Sequence, residues 1–388
     1  MNASVGVVRG LRAPVTLLGI QFSAVLGAMG LFAIFLLVAG VSPLAVFGDM
    51  AVGAFGSRFS VENALSRGAP LMLTALCTAL PARLGLVVIG NEGALLVGGL
   101  AAAGFAMLLG EGVSGWFGLP MLLLGSALAG ALWIGIVAGL RHYRGVNETI
   151  SSLLLFYIGL SLFLYLVEGP LRDPSSLNKP STYPVAEPLR LGTIPGTDVH
   201  YGLVFGIALC LVCHVLMAHT SFGFSARIVG GNLRAARLLG LGVPRLILLT
   251  CALGGAAAGV AGACEVLAVH GAANASLYAG LGFSGILVAF VARHSPLAII
   301  PVAILLGGVQ ASGGLLQRRH GLPDAAVEVF KGLLFVVILA SETHLARARA
   351  RLRRGSAASL VPSVAKSVDA PDSATGETEL EPKLEEAS

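Results

Sequence analysis

The feature of this sequence that most limits its fold is a series of long apolar runs. They are about 18 to 25 residues long, and a helix of that length crosses about 30 Å of hydrocarbon. Hydrophobic types make up 56% of the 388 residues and charged types 12%, which is too little charge for the surface of a soluble domain. The runs are continuous rather than alternating, which argues against a β-barrel. The sequence therefore predicts an all-α polytopic membrane protein.

About ten runs are candidate transmembrane helices. They lie near residues 15–40, 70–90, 93–110, 119–140, 150–168, 201–218, 246–268, 280–292, 296–316 and 325–342. The second run carries Pro81 and Arg83 in its middle, and the eighth is short and rich in glycine. Those two segments are either full spans or broken, re-entrant ones.

The arginines predict which ends of the runs face the cytoplasm. With ten spans, most of them fall on one side, and the positive-inside rule makes that side cytoplasmic, together with both termini. The arginines on this side are Arg9, Arg12, Arg141, Arg144, Arg227, Arg234, Arg237, Arg245, Arg293, Arg347, Arg349, Arg351, Arg353 and Arg354. Arg318 and Arg319 are exceptions, because they fall outside.

This topology divides the chain into three parts. Residues 1–14 form a cytoplasmic N-terminus, and residues 15–342 form the transmembrane domain, with external loops at 41–69 and 169–200. Residues 343–388 are first basic and then acidic, with too little apolar surface to fold, so we expect a disordered cytoplasmic tail whose arginines lie on anionic lipid.

The segment at 220–245 is the largest cytoplasmic loop. Asn232 is a good N-cap for a helix of about two turns, which Gly240 can end. Arg234 and Arg237 are three residues apart and therefore share one face of that helix. The segment is either a surface linker with cytoplasmic arginines or a docking helix for a cytoplasmic partner.

The same segment, TSFGFSARIVGGNLRAARLLGLGV, carries a family resemblance. It resembles the coupling region of permeases from binding-protein-dependent ABC importers, in the branch with ribose, branched-chain amino acid and nucleoside systems. The pattern in nucleoside and simple-sugar members is similar to TSFG…AVGxNPxAAxxxGI. This chain departs from it at Gly231, Leu233 and Arg234.

Other stretches agree with this family in the same order along the chain. GVNETISSLLLFYI at 145–158 resembles GVNEVISTxMLNYI, with Phe156 in place of an asparagine. LGLVVIGNEGALLVGG at 84–99 resembles GLFNIGVEGQMLIGA, with Val88 and Ala94 in place of asparagine and glutamine. The resemblance covers residues 65 to 342.

The resemblance implies a type II-like ABC importer permease in a bacterial inner membrane. Its partners would be ABC ATPase subunits, an extracytoplasmic substrate-binding protein and a second, shorter permease in a heterodimer. The expected solute is a nucleoside or purine, then a simple sugar, then a branched-chain amino acid. The residues expected to couple to the ATPase are Gly223, Arg227, Gly230, Asn232, Arg234, Ala235, Ala236, Arg237 and Gly240.

The sequence itself has no ATP-binding loop of the Walker A type. Such a loop needs a lysine directly after a glycine, and none of the four lysines follows one. We therefore expect ATP and Mg²⁺ to be bound by the partner subunit. No cofactor, metal or nucleic acid is expected in this chain.

Polar residues in or next to the apolar runs are candidates for the translocation path. They are Asn91, Glu92, Asn147, Glu148, Glu265, Phe283 and Ser284. Glu92 either lines the gate of a discontinuous helix or caps a helix start, and Arg83 is a possible partner for it.

Asn147 is favoured as an N-cap, with Glu148 in the first turn. Glu265 faces either the path or the external water. Phe283 and Ser284 suit a nucleobase or a sugar, or simply pack.

Two other functions remain open at this stage. An ion-coupled secondary transporter needs intramembrane carboxylates, and Glu92 and Glu265 are the few available. CLVCH at 210–214 has the form of a c-type haem attachment motif, but it lies inside an apolar run, where packing is the better interpretation. The five cysteines all lie in such runs and are interpreted as small packing residues rather than disulfides.

Overall fold

A computed structural model describes residues 23–110, 112–176 and 178–358 of the chain, with side chains through residue 341. Residues Gln21–Leu339 form one compact unit. The N-terminus predicted at 1–14 lies outside the described residues, as does the tail beyond 358.

The described residues are helical and contain isolated β-bridges but no strand. The first seven helices are α1 Ser23–Val38, α2 Pro43–Phe55, α3 Arg58–Ala82, α4 Asn91–Leu109, α5 Gly115–Arg144, α6 Glu148–Glu168 and α7 Gly202–His219. The others are α8 Ser221–Gly231, α9 Leu233–Leu238, α10 Val243–Cys264, α11 Leu281–Val291, α12 Pro296–Ala311, α13 Gly313–His320 and α14 Ala325–Ala358. A π-helical turn, Glu265–His270, extends α10.

Within the described ranges, six helical segments are long and apolar enough to cross a membrane. They are α4, α5, α6, α7, α10 with its π-helical turn, and α12 with α13. A seventh is possible if α1 and α2, which are bent by 117°, count as one broken span. The count of ten is therefore not confirmed.

Two of the predicted spans have a different form in the structure. The run at 70–90 contains the end of α3, and residues 83–90 are not helical. The run at 280–292 contains α11, whose 11 residues extend only about 16 Å. The first segment is thus the end of a 25-residue helix followed by non-helical chain, and the second is a short helix, so neither is one continuous helix over the predicted run.

Helix α10 lies at the centre of the unit and packs against α3, α4 and α5. Its face towards α4 and α5 is made of glycine and alanine. A Cβ placed at Gly262 would collide with the carbonyl of Leu95, and one at Gly255 would collide with that of Gly130. Small residues at these points let the backbones approach closely, as is typical of helices packed in lipid.

The external loop predicted at 41–69 is wrong as a loop, because α2 and the start of α3 occupy it. Pro43 lies in the first turn of α2, and Val46, Met50 and Ala54 form a buried stripe four residues apart. The tail predicted to be disordered from 343 is also corrected, since α14 continues to Ala358 through alanine, arginine and leucine, which favour helix.

The segment at 169–200, predicted to be an external loop, is largely non-helical, and backbone hydrogen bonds hold it in place. Thr182 N–H donates to the carbonyl of Ala273 at 2.9 Å, and Val185 N–H donates to that of Gly271 at 2.8 Å. This loop therefore covers the connection between α10 and α11.

All five cysteines are buried thiols. Cys210 and Cys213 of the CLVCH sequence lie on the buried face of α7. Their packing agrees with the structural interpretation of that sequence.

Candidate functional site

The first polar cluster is a junction where two helices begin inside the core. Glu92, in the first turn of α4, is fully buried. Its carboxylate accepts hydrogen bonds from the backbone N–H of Gly280, at 2.9 Å, and of Gly282. These N–H groups are at the start of α11, where an anion is stabilised by the helix dipole. Glu92 thus caps a helix start, but that of α11 rather than one at the membrane edge.

Asn91 ties the same junction to α3. Its side-chain amide donates to the carbonyl of Thr74 at 3.0 Å and to the hydroxyl of Thr78 at 2.8 Å. Thr74 in turn donates to the carbonyl of Leu281 at 3.2 Å. We call Thr74, Thr78, Asn91, Glu92 and residues 280–282 the junction. It fixes α3, α4 and α11 to one another.

The predicted pairing of Arg83 with Glu92 is wrong. Arg83 lies at the end of α3, and its Nε donates to the carbonyl of His294 at 3.0 Å. Arg83 begins the non-helical chain that joins α3 to α4, whereas Glu92 lies in the first turn of α4. The guanidinium of Arg83 contacts the connection between α11 and α12 instead. Arg293 and His294 in that connection have φ of 53° and 56°, a left-handed conformation that side chains rarely adopt.

A groove of about 460 Å³ lies between α11 and α14, next to the junction. Phe283 lines it and is 37% exposed, whereas Ser284 is buried. Its lining is mostly apolar and comprises Val87, Ile89, Gly280, Phe283, Ser284, Ile286, Leu287, Phe290, Glu328, Lys331, Gly332, Phe335 and Leu339. The structure therefore brings Phe283 and Ser284 together with residues of the last helix.

Sequence reasoning missed Lys331, the cation of this groove. Its Nζ donates to the Ser284 hydroxyl at 3.0 Å and lies 2.7 Å from Oε1 of Glu328. Lys331 is 5% exposed. An ionisable residue within the tenth apolar run was the available signal, because such residues are rare in spans and are functional by default.

Aromatic rings form much of the wall of the groove. Phe283 contacts Phe156 edge to face with centroids 5.2 Å apart, and Phe290 contacts Phe335 at 5.8 Å. Phe156 stands where the resembling permeases have an asparagine. The departure therefore places an aromatic ring, not an amide, beneath this groove.

A second, more polar cavity of about 680 Å³ adjoins the groove. Glu328 lines both cavities. The polar residues of the second cavity are Ser57, Ser60, Asn63, Arg67, Gln310, Arg318, Arg319, Asp324 and Glu328. Arg319 also pairs with Asp49 of α2, and His320 lies 2.7 Å from the same carboxylate. Asp49 thus provides a negatively charged partner for Arg319, one of the two arginines that depart from the predicted distribution.

The other path candidates lie outside the two cavities. Asn147 is the N-cap of α6, as predicted, and accepts from the N–H groups of Thr149 and Ile150 at 2.9 and 3.2 Å. Glu148 follows it in the first turn and forms an ion pair of 3.2 Å with Arg141. Glu265 is 7% exposed, so it does not face open water.

The segment at 220–245 contains two helices, α8 and α9, rather than the one predicted. Asn232 separates them and caps α9, as expected, by accepting from the N–H groups of Arg234 and Ala235 at 3.0 and 3.1 Å. The left-handed Gly240, with φ of 71°, lies just beyond the end of α9. Thr220 caps α8. The sequence analysis had placed a helix only after Asn232 and had not predicted α8.

The two helices present basic side chains and bury small ones. Arg227, Arg234 and Arg237 are exposed. Gly223 and Ala236 are buried, and Ala235 is half-buried. The segment thus has a cationic outer face.

The inner side of α8 contacts the end of α3. A Cβ placed at Gly230 would collide with the carbonyl of Arg83. Arg83 therefore contacts α8 through its backbone carbonyl and the α11–α12 connection through its guanidinium. Burial lowers the pKa of Arg83, and the nearby Arg227 lowers it further. Burial, with a contribution from Arg83, lowers the pKa of His294 to about 4, so the imidazole is neutral at pH 7.

Known proteins resemble this chain over most of its length. A family model described as "Branched-chain amino acid transport system / permease component" matches residues 60–340. A glucose ABC transporter permease of Haloferax volcanii is 32% identical over 84% of this chain and 87% of its own. A guanosine ABC transporter permease of Bacillus subtilis is 28% identical over 80% and 89%, and a nucleoside permease of Lactococcus lactis is 26% identical over 84% and 90%.

The match covers the junction, the groove and the α8–α9 segment together. It supports the nucleoside and sugar branch to which the sequence motifs had pointed. Members of this family are multi-pass membrane subunits of ABC transporters, are not themselves enzymes, and work with ATPase and binding-protein partners. The chain belongs to the branched-chain amino acid transport system permease family and is a permease subunit of the ABC type.

Proposed function

We propose that this chain is one transmembrane subunit of an ABC importer that carries a nucleoside or a simple sugar. The observation that carries the proposal is the connection from α8 to the core. The basic, exposed α8–α9 segment contacts Arg83 through Gly230, and Arg83 lies at the start of residues 83–90, which lead to the junction. A solute groove lies directly beside that junction.

The chain forms the translocation path and transmits movement from the ATPase to that path, and it catalyses no reaction itself. ATP binding and hydrolysis in a separate subunit move α8 and α9, and the end of α3 moves with them. Because Asn91 and Glu92 fix α3, α4 and α11 to one another, that movement reaches the wall of the groove. The groove opens alternately to the two sides of the membrane.

The partners follow from this arrangement. The ATPase docks on Arg227, Arg234 and Arg237, which places α8, α9 and both termini in the cytoplasm of a bacterial inner membrane. The binding protein docks on the opposite side, on the loop at 169–200. A second, shorter permease completes a heterodimer. Nucleosides are the first choice of solute and simple sugars the second, since relatives of both kinds resemble the chain; branched-chain amino acids are the third.

The docking face is tested by isolating the chain from its native membrane in gentle detergent and identifying the co-purifying proteins by mass spectrometry. We expect an ABC ATPase with the wild type and its loss from Arg234→Glu/Arg237→Glu, because reversing two exposed charges places like charges against the partner. Arg144→Glu/Lys179→Glu makes the same change on two exposed side chains elsewhere and should keep the ATPase. If no ATPase accompanies the wild type in several detergents, the proposal fails and ion-coupled transport becomes the hypothesis to test.

A further inference from the structure

The groove contains an ion pair, Lys331 and Glu328, that is not needed for the packing of α11 against α14. Lys331 places an ammonium in a mostly apolar lining, where an ion is costly unless it is paired. An ammonium has three N–H donors. Lys331 donates one to the hydroxyl of Ser284 and forms an ion pair with Glu328, so the ammonium retains an N–H for a ligand.

We infer that Lys331, Ser284 and Glu328 form a binding subsite for the hydroxyl groups of a neutral, ring-shaped solute. The inference rests on the proposed function and adds the chemistry by which this chain holds the solute. The ammonium donates to one hydroxyl oxygen, and the carboxylate of Glu328 accepts from a neighbouring hydroxyl. Such a donor and acceptor side by side match two adjacent hydroxyls of a ribose or a pyranose.

The charges in the subsite favour a neutral solute. Nζ of Lys331 lies 2.7 Å from Oε1 of Glu328, and the two charges neutralise each other. The subsite therefore attracts the negative charge of a phosphorylated compound only weakly. The apolar walls disfavour an unpaired anion further. This argues for a nucleoside or a sugar over a nucleotide or a sugar phosphate.

The surrounding rings complete the site. Phe283, Phe290 and Phe335 line the groove and offer flat apolar surfaces to a nucleobase or to the C–H face of a sugar. The volume of about 460 Å³ is within the usual range for small-molecule pockets. Glu328 lines the polar cavity as well, and its side chain is 56% exposed. A solute that enters from that cavity therefore meets Glu328 first.

The test measures access to the subsite in the complete importer with its ATPase, second permease and binding protein. Gly332→Cys, at an exposed position of the groove lining where a Cβ meets no atom within 4 Å, is treated with 2-aminoethyl methanethiosulfonate in proteoliposomes, with and without saturating guanosine or D-glucose. We expect the cysteine to react and one of the two probes to protect it. Ser126→Cys, fully buried on α5 and outside the groove, is the control that should stay unreactive, as should the five buried native thiols.

The role of the hydroxyls is tested with analogues that lack them. We expect 2′-deoxyguanosine or 2-deoxyglucose, each of which lacks one hydroxyl, to protect about tenfold more weakly than the parent compound, the size expected for one lost hydrogen bond to a charged group. Adding Lys331→Met should abolish that difference, whereas Lys331→Arg should keep part of it. A purely structural lysine would leave the discrimination unchanged.

The outcomes separate this inference from the proposed function. Protection by guanosine indicates a nucleoside, and protection by D-glucose indicates a sugar. If ATP drives uptake of either compound by the wild type but neither protects Gly332→Cys, or if Gly332→Cys reacts as slowly as Ser126→Cys, the subsite is overturned while the importer stands. If protection occurs but ATP drives no uptake, the subsite stands and the importer fails.

Discussion

The junction and the groove are both polar places in an apolar core, and they differ in how their charges are satisfied. At the junction, the carboxylate of Glu92 is fully buried and accepts from two backbone N–H groups of α11. In the groove, Lys331 is partnered by Ser284 and by Glu328, whose own side chain is 56% exposed. The carboxylate of Glu92 is thus enclosed by the protein, whereas the ion pair of the groove is exposed on the side of Glu328.

The difference assigns separate roles to the two sites. The buried hydrogen bonds of Glu92 fix α4 to α11, and its carboxylate is fully buried and therefore closed to a solute. An open pair of opposite charges beside aromatic rings can exchange partners with a solute as it passes. We therefore expect changes at the junction to affect stability first, and changes in the groove to affect solute recognition first.

The largest effect is expected from Glu92→Ala. The change removes the acceptor of two buried N–H groups, and leaving such donors unpaired costs about 1–3 kcal/mol each. We expect a lower thermal unfolding temperature for the purified subunit in detergent, and poor assembly with its partners.

Two controls sharpen the contrast. Glu92→Gln keeps an acceptor at the same place and should lose less stability. Lys331→Met in the groove should unfold near the wild-type temperature. If Glu92→Ala is as stable as the wild type, or Lys331→Met is the less stable of the two, the division of roles is wrong.

A smaller effect is expected from pH, through His294 in the connection between α11 and α12. The pKa of His294 is lowered from 6.5 to about 4, so between these values the unfolded chain binds more protons than the folded one. The contribution of His294 to the free energy of unfolding is therefore fully present above pH 6.5 and is lost as the pH drops towards 4. His294→Asn removes the titration, and asparagine tolerates the left-handed φ of 56°. Thermal unfolding at pH 7.5 and pH 5 should show a smaller difference for the variant; an equal difference would exclude His294 as the source.

The sequence predicted well the features that depend on near neighbours. Asn147 and Asn232 cap helices through N–H groups two and three residues away, and Gly240 lies just beyond a helix end, as those residue types indicate locally. Six of the predicted apolar runs coincide with helices that can span a membrane. The family could also be inferred, because its motifs occur in order.

Features that depend on distant parts of the chain were not predicted. Glu92 and Gly280 are 188 positions apart, and no local pattern connects them. Lys331 and Ser284 are 47 apart. Arg83 contacts a carbonyl rather than a carboxylate, which composition does not reveal. Tertiary packing decided each of these contacts.

The most direct test of the link between α8 and the core is the number of solute molecules imported per ATP hydrolysed by Gly230→Ala in proteoliposomes. A Cβ at Gly230 collides with the carbonyl of Arg83, whereas a Cβ at the neighbouring Gly231 meets no atom within 4 Å, so Gly231→Ala is the matched control. We predict that Gly230→Ala still binds the ATPase but imports less solute per ATP, while Gly231→Ala matches the wild type. Equal ratios for the two variants would contradict transmission of movement through this contact.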